Sequence, residues 1–316
     1  MNKKIIAAAI AASFVAAPAM ADVTVYGKVK QSLDMIDMGT TDQWEINDRS
    51  SRLGFKGSED LGNGLKAIYK IEFNVKASEA NPNDGSTPIT ANRNQYVGLA
   101  GDFGTVLMGR HDSPQDMSWS KNNIFGDTVA DLKGSNGPLD WTRVDGTIAY
   151  VSPSFSGLTV AAAIAPDEGL NNPTADGIAD HVAAALMYSN GGIRAGLGYQ
   201  SLDTAAVSVD DWTASFSYKM DALYVGLVYE DATQTATADK ESWAINGSYT
   251  MGNNVLKAQW FDADHDAIGM DEDGFAIGLD HNFSKRTQAQ LTYVSVDSEV
   301  AANDGDTFSI QMNHNF

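Results

Sequence analysis

Six basic side chains are spaced so that they could act together electrostatically. Lys28, Arg52, Lys56, Lys66, Lys70 and Arg143 fall out of step with the apolar Val25, Phe55, Tyr69 and Ile148 of the same stretches. Successive side chains of an extended chain point to opposite faces, so the cations share the face that the apolar residues leave. Cations along one wall of a narrow, water-filled passage, with carboxylates facing them, create a transverse field. That field orders water and penalises apolar solutes, which offer it no dipole and no hydrogen bonds. The charge distribution supports such a wall. Residues 22–143 hold 13 basic and 17 acidic residues, whereas 144–316 hold 6 and 24.

Other chemistry is thinly represented. Asp262, Asp264, Asp266 and Asp273 match positions 1, 3, 5 and 12 of a calcium loop. Position 6, however, is Ala267 instead of the turn-making glycine, and the last ligand would be Asp instead of Glu. A solvated acidic outer loop is the plainer account. The histidines, at 111, 181, 265, 281 and 314, form no metal spacing. No pattern sets one of them as a base against a Ser or Asp nucleophile, as a hydrolase would require, so no enzyme and no cofactor are expected. After residue 21 the chain carries 19 basic and 41 acidic residues, a net charge of −22. That balance argues against a nucleic-acid partner, which needs clustered Lys and Arg. With no cysteine there is no disulfide framework.

The elements that must hold the cations read as strands. Period two runs from Val23 to Phe316: Trp212, Ala214, Phe216 and Tyr218 against Thr213, Ser215, Ser217 and Lys219, for example. Sixteen strands are expected, at 23–37, 50–60, 64–77, 92–100, 104–111, 142–151, 157–166, 179–190, 192–202, 210–219, 222–231, 240–250, 254–263, 272–283, 287–298 and 304–316. Short turns such as DLGNG (60–64), NGG (190–192) and MD (220–221) alternate with longer acidic loops, the longest from Asp112 to Trp141. Aromatics stand at both ends of the apolar face, as in Phe275 with Phe283 and Phe308 with Phe316. An eight-residue separation is about 26 Å along a strand. At a tilt of about 40° this is roughly 20 Å of height, close to the lipid-facing band of an outer-membrane barrel.

The amino terminus reads as an export signal. Lys3 and Lys4 precede an apolar stretch, Ile5 to Ala17, and Ala19-Met20-Ala21 is a small-x-small cleavage site. Residues 1–21 are thus an expected signal peptide and 22–316 one transmembrane barrel domain. The fold class expected is all-β: an antiparallel β-barrel of sixteen strands with short periplasmic turns and long extracellular loops, in the outer membrane.

Four blocks, VTVYGKV (23–29), SRLGFKGSEDLGNG (51–64), RNQYVGLAGDFGTVLMGR (93–110) and RVDGTIAYVSPSFSGL (143–158), together with the terminal Phe316, resemble the general diffusion porins of Gram-negative outer membranes. The resemblance implies a sixteen-stranded homotrimer through which ions and small hydrophilic solutes diffuse passively. It implies contact with outer-membrane lipid and lipopolysaccharide, and with the barrel assembly machinery, which would read Phe316. It also places Lys28, Arg52, Arg93 and Arg143 on a basic ladder at the narrowest point, opposite an infolded loop, about 112–141, with Asp127 in IFGDT as its acid. A second acid usual in the family is replaced by Asn122-Asn123, and Asp116 and Asp131 are the nearest substitutes. Gly27, Gln31, Gly57, Asn94, Gly98 and Gly109, read as outward-facing, would suit close subunit packing. The alternative function is a surface-binding or adhesin barrel that presents the acidic loops.

Overall fold

A computed structural model describes residues 22–37, 42–78, 87–91, 93–133, 137–140, 143–166, 177–203, 208–235, 238–266, 270–301 and 303–316. The expected signal peptide, Ala267 of the acidic run, and 134–136 and 141–142 of the long loop lie outside them. The described residues form one closed antiparallel barrel of sixteen strands. The strands are β1 Asp22–Asp37, β2 Asp42–Asp48 with Arg52–Gly62, β3 Leu65–Val75, β4 Ile89–Thr90 with Gln95–Gly101, and β5 Gly104–Asp112. They continue as β6 Arg143–Val151, β7 Leu158–Ala165, β8 His181–Asn190, β9 Ile193–Asp203, β10 Ser208–Met220 and β11 Leu223–Thr235. The last five are β12 Ala238–Met251, β13 Asn254–His265, β14 Glu272–Asn282, β15 Thr287–Ser298 and β16 Gly305–Asn315.

The barrel is apolar outside and polar inside. Trp212, Ile245, Ile277 and Met312 are 52–59% exposed, whereas Thr213, Ser242, Gln259 and Gln311 are buried. In water so large an apolar surface would drive association. In lipid it is the favourable surface, and closing the sheet gives each strand a ladder partner on both sides. Among the described residues no helix is long and apolar enough to cross a membrane, so the strands do the spanning. The tight DLGNG turn works because Gly62, Asn63 and Gly64 all take positive φ, a region that glycine and asparagine tolerate.

Closure joins the two ends of the chain. The register runs from Lys28 opposite Asn315 to Asp37 opposite Asp306. The partner of the last strand is thus the second half of β1. Its first half extends past the C-terminus along β2, from Asp22 opposite Ser58 to Lys28 opposite Arg52. Asp34, fully buried, fastens the seam by accepting from Ser309 Oγ (2.6 Å), Ser32 Oγ (2.9 Å), Asn47 Nδ2 (2.8 Å) and the Arg49 guanidinium. Phe316 completes it. Its N–H donates to Gly27 O (3.0 Å), and the Gly27 N–H donates to Phe316 O (3.1 Å). A Cβ on Gly27 would lie 2.5 Å from the Phe316 ring and 2.6 Å from Arg52 O. Gly27→Val is therefore expected to unseat the terminal ring and lower the fraction of folded, heat-modifiable protein on unheated gels.

Three expectations need correction. The second strand begins at Asp42, not near residue 50; Asn47-Asp48-Arg49-Ser50 reads as a turn but is a break within one strand, with Ser50 at φ 61°. Arg93 lies in the corresponding gap of the fourth strand. The small-residue sector is only in part an open outward surface: Gln31 and Gly57 share a face with the exposed Leu33 and Val23, whereas the others differ. Gly27 is covered by Phe316. Gly98 lies between the outward Val97 and Leu99 and so faces the lumen. Asn94 bonds to Asp112 and Arg143, and Gly109 serves a bulge at φ 136°.

Candidate pore constriction

The segment after β5 starts as a helix, α1, Pro114–Trp119. Ser113 caps it by accepting from the Asp116 N–H (3.1 Å), and Pro114 opens the first turn, where a missing N–H costs nothing. The helix lies flush on β9 because Gly196 and Gly198 are bare. A Cβ at Gly196 would lie 2.1 Å from Ser118 O, and one at Gly198 would lie 2.9 Å from the Gln115 Cα.

A single-turn 3-10 helix, Ser120–Asn122, follows. Asn122 then ties the chain to the wall. Its amide donates to Phe216 O and Leu227 O (3.1 Å each), its side-chain oxygen accepts from Tyr224 Oη (3.2 Å), and its backbone oxygen accepts from Asn246 Nδ2 (2.6 Å). This accounts for an amide where the resemblance leads one to expect an acid, since a carboxylate could not donate to two carbonyls. The isosteric Asn122→Asp should leave Phe216 O and Leu227 O unpartnered at this contact, at about 1–3 kcal/mol per buried group. It should show as stepwise current fluctuations in single-channel records that are steady in the parent protein.

Next the loop plugs two apolar clusters into the barrel interior. Phe125 and Ala130 pack on Ala276 and Val294, and the Lys257 ammonium stands 4.5 Å over the Phe125 ring. Trp119, Leu132 and Leu139 pack on Val228, Ala244 and Phe261. The return limb is held by Glu230, which accepts the Asp140 N–H (2.9 Å). Lys240 lies 3.1 Å from Glu230 and 2.8 Å from Asp140.

At the tip, Asp127 takes the left-handed conformation (φ 59°) that aspartate tolerates better than most residues. Its carboxylate contacts Lys28, approaches Lys30 at 3.5 Å and receives both oxygens' worth of bonding from Arg52 Nη2 (3.0 and 3.1 Å). Gln311 Nε2 donates to its backbone oxygen (3.2 Å). Burial would raise this carboxyl, but Lys30, Arg52 and Lys28 outweigh it and hold the group well below the usual carboxylate range.

The other expected residues take different partners. Arg93 Nε binds Glu72 at 2.6 Å, and Glu72 also accepts from Tyr26 Oη (2.8 Å) and lies 3.5 Å from Lys70. Arg143 Nε pairs with Asp112 at 2.6 Å. Asp116 pairs with Lys133 of its own loop, and burial raises its carboxyl despite that cation. Asp131 accepts from Asn123 Nδ2 and the Asp127 N–H, both at 2.6 Å, shaping the tip from within. Burial raises it too. The structure therefore brings Lys28 and Arg52 to Asp127, sets Arg93 and Arg143 on Glu72 and Asp112, and keeps Asp116 and Asp131 inside the loop. Lys30, Glu72 and Asp112 are additions. Lys30 shares the face of Lys28 and Glu72 that of Lys70, so alternation could have found both. Asp262 and Asp273 stand opposite each other on β13 and β14 instead of lining one loop. Among the described residues no three metal-ligating side chains converge.

Comparison with known proteins agrees with this architecture. Residues 7–301 match the profile of the Gram-negative porins. The major outer membrane protein P.IB of Neisseria meningitidis serogroup B is 31% identical over 327 residues, covering 92% of each chain. The anion-selective porin from Comamonas acidovorans superposes with a TM-score of 0.74 at 23% identity, covering 94% of this chain and all of that one. OmpT of Vibrio cholerae, solved in a trimer form, gives 0.68 at 17% identity, covering 94% and 99%. The closed barrel whose greasy side faces outward thus has counterparts along nearly its whole length, and the chain belongs to the Gram-negative porin family as an outer-membrane channel protein.

Proposed function

We propose that ions and small hydrophilic solutes pass between the loop 113–133 and the first six strands, and that the passage is narrowest beside the Asp127 bridge. The observation that carries this reading is the Asp127 carboxylate seated on Lys28, Lys30 and Arg52, with Arg93, Arg143, Glu72 and Asp112 continuing the charged wall. Passing solutes meet fixed, paired charges in a confined aqueous space, where a local dipole field favours hydrated species over apolar ones. Asp116 and Asp131 act indirectly, by holding the loop's shape.

Selectivity tests the assignment. A unit charge at 4 Å is worth about 1 kcal/mol in bulk water, so removing one should change relative permeability by at most about fivefold, and less in high salt. Arg52→Gln should move reversal potentials in a salt gradient toward cations and Asp127→Asn toward anions. Unchanged values in both variants would place the narrowest point elsewhere. The pH dependence has a definite sign. A carboxyl whose pKa is depressed by folding keeps its charge, and the stability it contributes, above the unfolded value near 3.9, and loses both as pH falls through the lower folded value. The share of selectivity owed to Asp127 should therefore persist as pH is lowered through 4.

The assembly proposed is a homotrimer, supported by family membership and by the trimeric relative. Unheated gels and cross-linking read its size. The outward apolar band meets membrane lipid and, in the outer leaflet, lipopolysaccharide. Phe316, docked on Gly27, serves as the terminal aromatic recognised by the barrel assembly machinery.

A further inference from the structure

Below α1, toward the short-turn end of the barrel, a cavity of about 460 Å³ opens between the loop and the inner faces of β6–β10. Its size is within the range of about 300–1,000 Å³ that holds small organic ligands. Lys121 from the loop and Arg194 from β9 both border it. Arg194 is on the inner face: its neighbours Ile193 and Leu197 are outward and exposed, while Gly196 and Gly198 of the same face touch α1.

The charge around this cavity is unlike that of the surrounding half of the barrel. Asp112 and Asp116, the acids of its lining, are committed to Arg143 and Lys133. Two other lumen cations of the later strands, Lys240 and Lys257, are likewise committed, to Glu230 and Asp280. Arg194 and Lys121 face no carboxylate among the described ion pairs. Arg194, from a half of the chain with 24 acidic and 6 basic residues (144–316), and Lys121, from the loop, make a positive spot. Between them the lining is soft and apolar, with Met117 and Met187, and Ser120 and Ser215 supply hydroxyls. Methionine adapts to varied apolar shapes and favours aromatic edges. Arg194 also borders a smaller neighbouring cavity, which Lys219 and Asp221 line as well.

We infer that this cavity is a binding subsite for small organic carboxylates with an apolar body, beside the main passage, whose wall it meets at Asp112, and on its periplasmic side. The carboxylate is held by Lys121 and Arg194, and the body lies against Met117 and Met187. The subsite is separate from the Asp127 bridge, so a solute reaches it from the periplasm without crossing the constriction.

Benzoate and its uncharged analogue benzamide are suitable probes, added to the periplasmic side of the purified channel in a planar bilayer. Benzoate should produce concentration-dependent current blocks, with benzamide at least about tenfold weaker, the equivalent of one decade in Kd. Lys121→Gln combined with Arg194→Gln should raise the half-blocking benzoate concentration about tenfold. Arg52→Gln should leave it within about twofold while shifting the reversal potential. Equal block by benzamide, absence of block, or insensitivity to the double substitution would overturn the subsite. Loss of block in Arg52→Gln alone would assign the anion to the constriction and also overturn it. If the double variant folds poorly, Lys121→Gln alone, at an exposed loop position, gives the same comparison with an intermediate shift. Retained reversal-potential responses at Arg52 and Asp127 keep this outcome distinct from failure of the constriction itself.

Discussion

Deletion of residues 119–135 is expected to give a barrel that still folds, conducts severalfold more current and admits larger sugars. The strand ladders do not depend on this segment, since its bonds to the wall come mainly from side chains and single carbonyls: Asn122, Lys257, Gln259 and Gln311. What disappears is the obstruction. Trp119, Phe125 and Leu132, each fully buried, leave the interior together with Asp127. The wall then shows Val228, Phe261 and Val294 to water, at about 25 cal/mol for each Å² exposed, so the shortened protein should melt earlier while remaining heat-modifiable. Single-channel conductance and the sugar cut-off in liposome swelling are the measurements. An unchanged cut-off in a folded barrel would show that the loop does not set the limit.

Deletion of residues 306–316 should abolish the folded barrel altogether. Ten register pairs to β1 go at once, with a further ladder to β15. Asp34 loses Ser309, the partner that crosses the seam. In lipid the two edges left open have no water to satisfy them, at several kcal/mol per group. Removing Phe316 alone takes away the exchanged pair with Gly27 and should reduce the yield without abolishing it. Outer-membrane fractions run unheated and heated separate the cases, and a normal barrel after the longer deletion would refute closure by this strand.

The spanning elements were legible because alternation is a local signal, repeated at every strand and tied to one lipid-facing surface. Legibility failed where a strand is broken. Asn47-Asp48-Arg49-Ser50 has turn chemistry in the middle of a strand, and only the ladder to β1 shows that the chain resumes. Register also escaped, since the stagger between β1 and β16 depends on how the closed sheet tilts. At the proposed constriction, alternation put Lys28 and Arg52 on the inner face, and resemblance set Asp127 opposite them. Glu72 was overlooked although it alternates with outward Ile71 and Phe73. The apolar clusters of the loop carried no readable pattern. Trp119, Phe125, Leu132 and Leu139 stand six or seven residues apart in a segment without strand alternation, and their partners Val228, Ala244, Phe261 and Val294 lie roughly a hundred residues or more further on.

The long loop is anchored on β10 and β11 by Asn122, on β13 to β15 by Phe125, and on β1, β2 and β16 by Asp127. Mechanically it is a strut across a tube. A hollow cylinder squeezed from the side deforms first by becoming oval, and a close-packed brace between opposite walls stiffens that mode most. Changes in bilayer lateral pressure should therefore leave the cross-section nearly constant, and the open channel should carry a quiet, even current in membranes of different tension.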